Sequence, residues 1–216
     1  MHLLLLSLDD TLVDRAGAFA DWGRDFLDRI GAPRHDLDWL LAIDADGISS
    51  RWDVAEALRH RYDLAESAAD LVEEQRAMVL ARLRPDPLLG CALRIAIDAG
   101  LVPVVVTNGD SGQQLEKLRR TGLDRYVADC IVSNEVGVRK PNPRIFAIAA
   151  QRVRMSLRDA WMIGDSPEAD INGAVAVGIP SVWLHRGRPW PERRYAPTYV
   201  ADCAIAAISV VLDDLR

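Results

Sequence analysis

The sequence predicts an α/β protein in which a bundle of four helices is inserted into a parallel sheet. Three patterns support this: residues 3–8 form a short apolar run that ends at acidic residues, residues 16–84 carry apolar side chains at helical spacing, and short β-branched runs alternate with helical patterns after residue 87. The apolar run is typical of a buried parallel strand. The alternation indicates βαβ units, which build parallel sheets with right-handed crossovers.

The inserted stretch contains four groups of apolar residues at helical spacing and ends at Pro85 and Pro87, which interrupt helices. No strand pattern falls between these groups. We therefore expect a helical domain over residues 15–85 and a sheet domain formed by residues 1–14 and 86–216.

The rest of the chain alternates between the two kinds of element. Helices are predicted over residues 88–99, 112–121, 143–153, 170–177 and 204–215, and strands over residues 102–107, 130–133, 160–163 and 181–185. Gly100 and Gly178 follow two of the helices, where glycine often ends a helix. Residues 187–197 are rich in Arg and Pro and are predicted to form a surface loop.

The composition narrows the class of protein. The 216 residues are 50% hydrophobic and 27% charged, which excludes disordered, collagenous and coiled-coil classes. A formal net charge of −6 argues against nucleic-acid binding, which favours a basic excess. No apolar run approaches the ~20 residues of a membrane span, and the first run lacks the basic residues of a leader peptide. We expect a cytoplasmic protein that binds no membrane, as a monomer or homodimer.

Cysteine and lysine are sparse. Cys91, Cys130 and Cys203 lie far apart without a CxxC pair, so we expect small buried side chains in a reducing compartment. Lys117 and Lys140 are the two lysines among 26 cationic residues. A lysine kept against that bias indicates a need for its compact ammonium group.

Polar residues follow several predicted strands, and ligands of such sheets bind outside the carboxyl ends of the strands. Clustered carboxylates repel one another unless a cation joins them, and hard oxygen ligands suit Mg²⁺. Hydroxyl, backbone N–H and ammonium groups suit a phosphate. The pattern indicates magnesium-assisted phosphoryl chemistry, although each segment alone also fits a turn or a helix cap. The residues are Ser7, Asp9, Asp10, Thr11, Thr107, Asn108, Gly109, Lys140, Gly164, Asp165, Ser166 and Asp170.

Four segments, in this order, resemble the motifs of the haloacid dehalogenase (HAD) superfamily, in the branch with a helical cap inserted after the first motif. They are residues 7–12 (SLDDTL), 107–109 (TNG), 139–143 (RKPNP) and 164–170 (GDSPEAD), and the resemblance spans about residues 3–185. It implies a doubly wound, Rossmann-like core with a cap domain. It also implies a Mg²⁺-dependent phosphatase, since most members of this branch are phosphatases, while some are dehalogenases or phosphomutases.

The resemblance assigns a role to each matching residue. Asp9 would be the general acid and base and would offer its backbone carbonyl to Mg²⁺, while Asp165 would ligate the metal and Asp170 would support it. Lys140 would also restrain the side chain at the first position of the first motif. The phosphate loop and its contacts would come from Thr107, Asn108, Gly109 and Lys140.

One position departs from the family's Asp-x-Asp-x-Thr motif, because Ser7 stands at its first Asp. In the family that Asp attacks phosphorus and ligates the metal. A serine hydroxyl is uncharged at pH 7 and needs a base, and a serine phosphate is a stable ester. Because Ser7 also replaces a charged oxygen ligand of the metal, it is expected to weaken Mg²⁺ binding.

Two functions stay open at this point. One is a hydrolase of a small phosphorylated metabolite whose first step is altered at Ser7. The other is a catalytically silent protein that holds a phosphorylated ligand or partner. A dehalogenase fits less well, because it also needs the Asp nucleophile. Four residues of the helical insert could either face the substrate or belong to the core and surface of the bundle: Trp22, Trp39, Arg51 and Trp52.

Overall fold

The sheet has six parallel strands in the computed structural model, which describes residues 1–215. Their order across the sheet is β3-β2-β1-β4-β5-β6, so the winding reverses between β1 and β4. Ligands of doubly wound sheets bind beside that reversal, at the carboxyl ends of the strands. In chain order the strands are β1 (His2–Leu6), β2 (Leu101–Thr107), β3 (Asp129–Val132), β4 (Ala160–Gly164), β5 (Ser181–Leu184) and β6 (Tyr199–Ala201).

The central strand, β1, is a run of leucines because both of its faces are covered. Leu3 pairs in register with Val102 of β2 and Ala160 of β4. Residues 3–6 are all fully buried, and a strand buried on both faces needs no polar alternation. This buried strand ends at residue 6, so the first motif begins directly at the carboxyl edge of the sheet.

Most helices begin at a side chain that caps their first turn, as expected for Ser and Asp. Side-chain oxygens of Asp14, Ser50, Ser67, Asp86 and Asp110 each accept from a backbone N–H in the first turn of a helix. The α-helices are α1 (Arg15–Ile30), α2 (Asp36–Asp44), α3 (Arg51–Tyr62), α4 (Ala68–Arg82), α5 (Pro87–Asp98), α6 (Ser111–Thr121), α7 (Ser133–Val136), α8 (Pro143–Arg152), α9 (Gly173–Ala176) and α10 (Ala204–Asp214). Short 3₁₀ turns lie at Ala45–Gly47, Leu123–Tyr126 and Leu157–Asp159, and a π-helical segment at Pro167–Asn172.

Two compact units make up the chain. One consists of residues 1–13 and the chain from residue 84 onward, and the other of residues 14–83, which carry α1–α4. Within the helical unit Trp22 is 1% exposed and packs between Phe19 and Phe26, whereas Trp52 is 54% exposed. Packing therefore accounts for Trp22, while Trp52 lies on the surface of its unit. None of the helices within residues 1–215 combines the length and apolar content of a membrane span.

The fold class expected from the sequence is confirmed, with several local differences. The edge strand β6 was not predicted, because two of its three residues are exposed and three residues are too few to show an alternating pattern. The helix expected from residue 170 instead begins at Pro167 as the π-helical segment. Ser166 starts this turn, since its carbonyl accepts from the N–H groups of Asp170 and Ile171.

The expectation that all three cysteines are buried is wrong. Cys130, in β3, is buried, but Cys91 and Cys203 are exposed. Cys91 occupies an exposed position of α5. Cys203 immediately precedes α10, at its capping position. The wide spacing of the cysteines in the sequence did not show that Cys91 and Cys203 are exposed.

Reaction of the folded protein with iodoacetamide at about pH 8 is expected to modify Cys91 and Cys203 and to spare Cys130. Burial raises the pKa of the Cys130 thiol to about 12, and the thiolate is the reactive form. Peptide mass spectrometry would quantify each site, with the denatured protein as the control that reacts at all three. Modification of Cys130 as fast as Cys91 in the folded protein would contradict this.

Candidate active site

The side chains that follow β1 and β4 meet at the carboxyl edge of the sheet, and Lys140 joins them. Lys140 Nζ lies 3.1 Å from Ser7 Oγ and 2.6 Å from Asp170 Oδ1. Thr11 Oγ1 donates to Asp165 Oδ1 at 3.3 Å. The structure therefore brings the first, third and fourth motifs together within the sheet unit.

Ser7 is buried and its environment leaves its hydroxyl without a base. Its backbone N–H donates to the carbonyl of Ile163 at 2.9 Å, so Ser7 continues the pairing of β1 with β4. Its Oγ accepts from the Lys140 ammonium. Within residues 1–215, no carboxylate or imidazole is hydrogen-bonded to Ser7 Oγ, and Lys140 is itself paired with Asp170. Nothing in this arrangement activates the hydroxyl as a nucleophile.

Lys140 and Asp170 form a buried ion pair, with 4% and 0% of each residue exposed. The other carboxylate oxygen of Asp170 accepts from the Ser166 N–H at 3.0 Å. Gly164 makes room for this carboxylate, because a Cβ there would lie 2.2 Å from Asp170 Oδ2. The glycine of the fourth motif thus allows Asp170 to lie against the end of β4.

The second motif holds the loop that carries Lys140. The Asn108 amide bonds both polar groups of the Lys140 backbone, donating to its carbonyl at 3.1 Å and accepting from its N–H at 2.8 Å. Gly109 has φ +137°, a conformation that favours glycine, and its N–H donates to Ser133 Oγ at 3.0 Å. Thr107 Oγ1 accepts from Gln114 Nε2 at 2.6 Å. Asn108 therefore positions the lysine.

Asp9 is held by two side chains of α6 that the sequence reasoning did not assign to the site. Lys117 Nζ lies 2.6 and 2.7 Å from the two carboxylate oxygens of Asp9, and Gln114 Nε2 donates to one of them at 3.1 Å. Gln114 and Lys117 are three residues apart, which places them on one face of the helix. The rarity of lysine in this chain was the available signal for Lys117.

Asp165 is surrounded by cationic side chains from the segment after β5. Arg186 Nη1 lies 3.4 Å and Arg188 Nη2 3.3 Å from Asp165 Oδ2. Burial, and then the nearby Asp170 carboxylate, raise the pKa of Asp165 to about 6, while the two arginines and Lys140 oppose that rise. The sequence reasoning missed both arginines, although they follow a strand end as the other site residues do.

The side chains gathered here do not offer a complete magnesium site. Mg²⁺ prefers an octahedral shell of oxygen ligands at about 2.0–2.1 Å. The position of the family's first carboxylate is a serine, and both oxygens of Asp165 already face donors. Across residues 1–215 no group of three or more His, Cys, Asp or Glu side chains is arranged to hold a metal ion.

Comparison with known proteins agrees with this fold. The family model "haloacid dehalogenase-like hydrolase" matches residues 8–178. A phosphoserine phosphatase of Thermus thermophilus is 31% identical over 224 aligned positions, covering 87% of this chain and 90% of that protein. A glyceraldehyde 3-phosphate phosphatase of Methanopyrus kandleri is 36% identical over 108, covering 50% of this chain and 46% of that protein. The HAD-hydrolase YfnB of Bacillus subtilis shares the fold, with a TM-score of 0.77 at 23% identity over 100% of this chain and 98% of that one.

The sheet order and the residues at its carboxyl edge define a doubly wound α/β protein with a charged site beside the reversal of strand order. More particularly, the chain belongs to the haloacid dehalogenase-like hydrolase family. The resemblance read from the four motifs is thereby confirmed at the level of the family. Its relatives support a hydrolase of the phosphatase type.

Lys140→Met is expected to lower the free energy of unfolding by about 3–5 kcal/mol, because it leaves the Asp170 carboxylate buried without its counter-charge. Urea denaturation would measure the loss. The double variant Lys140→Met/Asp170→Asn is the matched control and should recover part of it, since the buried charge is gone. A loss below about 1 kcal/mol, typical of a surface pair, would show that the pair is not buried as described.

Proposed function

We propose that this chain hydrolyses the phosphate monoester of a small metabolite, with water rather than Ser7 as the group that attacks phosphorus. The observation that carries the proposal is the state of Ser7. Its hydroxyl accepts from the Lys140 ammonium, which is itself paired with Asp170. Among residues 1–215 no carboxylate or imidazole is hydrogen-bonded to that hydroxyl. The two phosphatase relatives support the substrate class, since the names of both denote small phosphorylated metabolites.

Lys140 is the group best placed to bind the phosphate. An ammonium carries three N–H donors, and two of them are directed at Ser7 and Asp170. The third donor suits a phosphate oxygen. The hydroxyl of Thr107, at the end of β2, is a second phosphate-binding group in this proposal, and Asn108 and Gly109 shape the loop between them.

Asp9 serves as the base in the proposed reaction. Its side chain is 30% exposed, so water reaches it even though Lys117 and Gln114 fix its position. Water forms the new O–P bond and gives its proton to the Asp9 carboxylate, and the ester P–O bond breaks. The protonated Asp9 carboxyl then gives that proton to the leaving alkoxide, so the products are an alcohol and inorganic phosphate. We also propose that the helical unit, residues 14–83, acts as the cap that selects the substrate.

A binding protein without turnover is the second candidate function. The observation that favours it is the double engagement of Asp9, whose carboxylate oxygens already accept from Lys117 and Gln114. A base held by an ammonium binds a proton less readily. In that case the site would hold a phosphorylated ligand intact.

Phosphate release from a panel of small phosphate esters distinguishes the two functions. We expect slow release by the unmodified chain, release by Ser7→Ala within about threefold of it, and none by Asp9→Asn. Ser7→Asp should be faster by about 100-fold or more, because loss of a nucleophile costs enzymes large factors in kcat.

One result would overturn the proposed attack by water, and another would overturn the hydrolase function itself. Loss of release in Ser7→Ala would make Ser7 the attacking group. Binding of an ester that is recovered intact after prolonged incubation would make the chain a binding protein. Correct folding of each variant, checked by circular dichroism, is the control for both results.

A further inference from the structure

We infer that the guanidinium of Arg186 supplies, between Asp10 and Asp165, the positive charge that a divalent cation supplies in metal-dependent sites, and that this chain consequently binds Mg²⁺ only weakly. The inference concerns the site of the proposed function and rests on it only for the site's location.

The backbone after β5 is bent so that Arg186 points at the carboxylates. Arg186 has φ 50°, in the left-handed region that non-glycine residues rarely adopt. The turn is closed by the Arg188 N–H, which donates to the His185 carbonyl at 2.8 Å. The Arg186 guanidinium lies 3.5 Å from Asp10 Oδ1 and 3.4 Å from Asp165 Oδ2. One cation therefore bridges two acidic residues of different motifs.

Arg188 strengthens the same arrangement. Its Nη2 donates to the backbone carbonyl of Asp165 at 2.8 Å and lies 3.3 Å from Oδ2 of the same residue. The remaining carboxylate oxygen, Oδ1, accepts from Thr11. Both oxygens of Asp165 thus face protein donors. A metal ion at this carboxylate would have to displace the guanidinium of Arg186 or Arg188. It would then be repelled by the positive charge of the arginine that remains.

The charges of the site are balanced by the chain itself. Each of the four carboxylates at the sheet edge has a cationic partner within the described residues. The contacts are Asp9 with Lys117, Asp170 with Lys140, Asp10 with Arg186, and Asp165 with both Arg186 and Arg188. Ser7 contributes no fifth negative charge. A dication would leave the site with excess positive charge, which disfavours its binding.

Titration calorimetry with MgCl₂ alone tests this without any phosphate ester. We expect weak binding by the unmodified chain, with a Kd above about 1 mM, and binding at least about tenfold tighter by Arg186→Gln, since the charge facing Asp165 falls by one unit. Ser7→Asp/Arg186→Gln should bind tighter still. Arg186→Lys keeps the charge and should bind as weakly as the unmodified chain.

Arg193→Gln is the matched control, because Arg193 is exposed in the same segment and its removal changes the net charge equally. It should leave Mg²⁺ binding unchanged. The inference is overturned if the unmodified chain binds Mg²⁺ with a Kd below about 0.1 mM, a result that stands even if Arg186→Gln fails to fold. Equal affinity of Arg186→Gln and the unmodified chain, or an equal gain in Arg193→Gln, also overturns it. Failure of phosphate release does not affect these readouts.

Discussion

The buried ammonium of Lys140 is the contact on which the rest of the site depends. It reaches Ser7 after β1 and Asp170 after β4, and its own backbone is held by Asn108 after β2. Three strands and one loop therefore meet at a single charge. A charge removed from water in this way must be paired, and this requirement fixes how the four motifs are arranged relative to one another.

Ser7 changes the electrostatics of this arrangement more than its packing. A carboxylate at position 7 would give Lys140 a second anionic partner, whereas the hydroxyl gives it a neutral acceptor at 3.1 Å. The ion pair with Asp170 then carries the whole counter-charge of the lysine. The site lacks the group that attacks phosphorus in the family, but it keeps Asn108, which positions Lys140, and the groups that we propose bind a phosphate.

The fold and most of the residues gathered at the candidate site were predictable, because the sequence patterns that indicate them are local and strong. A run of leucines such as β1 fits a doubly covered strand and little else, and Asp9, Lys140 and Asp165 stand in ordered motifs. Lys117 carried a weaker signal, as one of two lysines. Arg186 carried almost none, because one arginine among 24 is not distinctive. Its role depends on a left-handed turn after β5, which single-sequence patterns do not reveal.

The Ser7 and Arg186 positions are best understood together. Two carboxylates that both ligate a metal, at position 7 in the family's motif and at Asp165, repel each other unless a cation lies between them. With Ser7 in place of the first of them, Asp165 faces the Arg186 guanidinium instead, and the same guanidinium lies 3.5 Å from Asp10. Ser7 contacts Lys140, and the charges of Lys140 and Arg186 both act on Asp165. Side chains joined in one charged network have coupled effects. Restoring a carboxylate at position 7 while Arg186 remains should therefore restore less metal affinity than the same change made after Arg186 is removed.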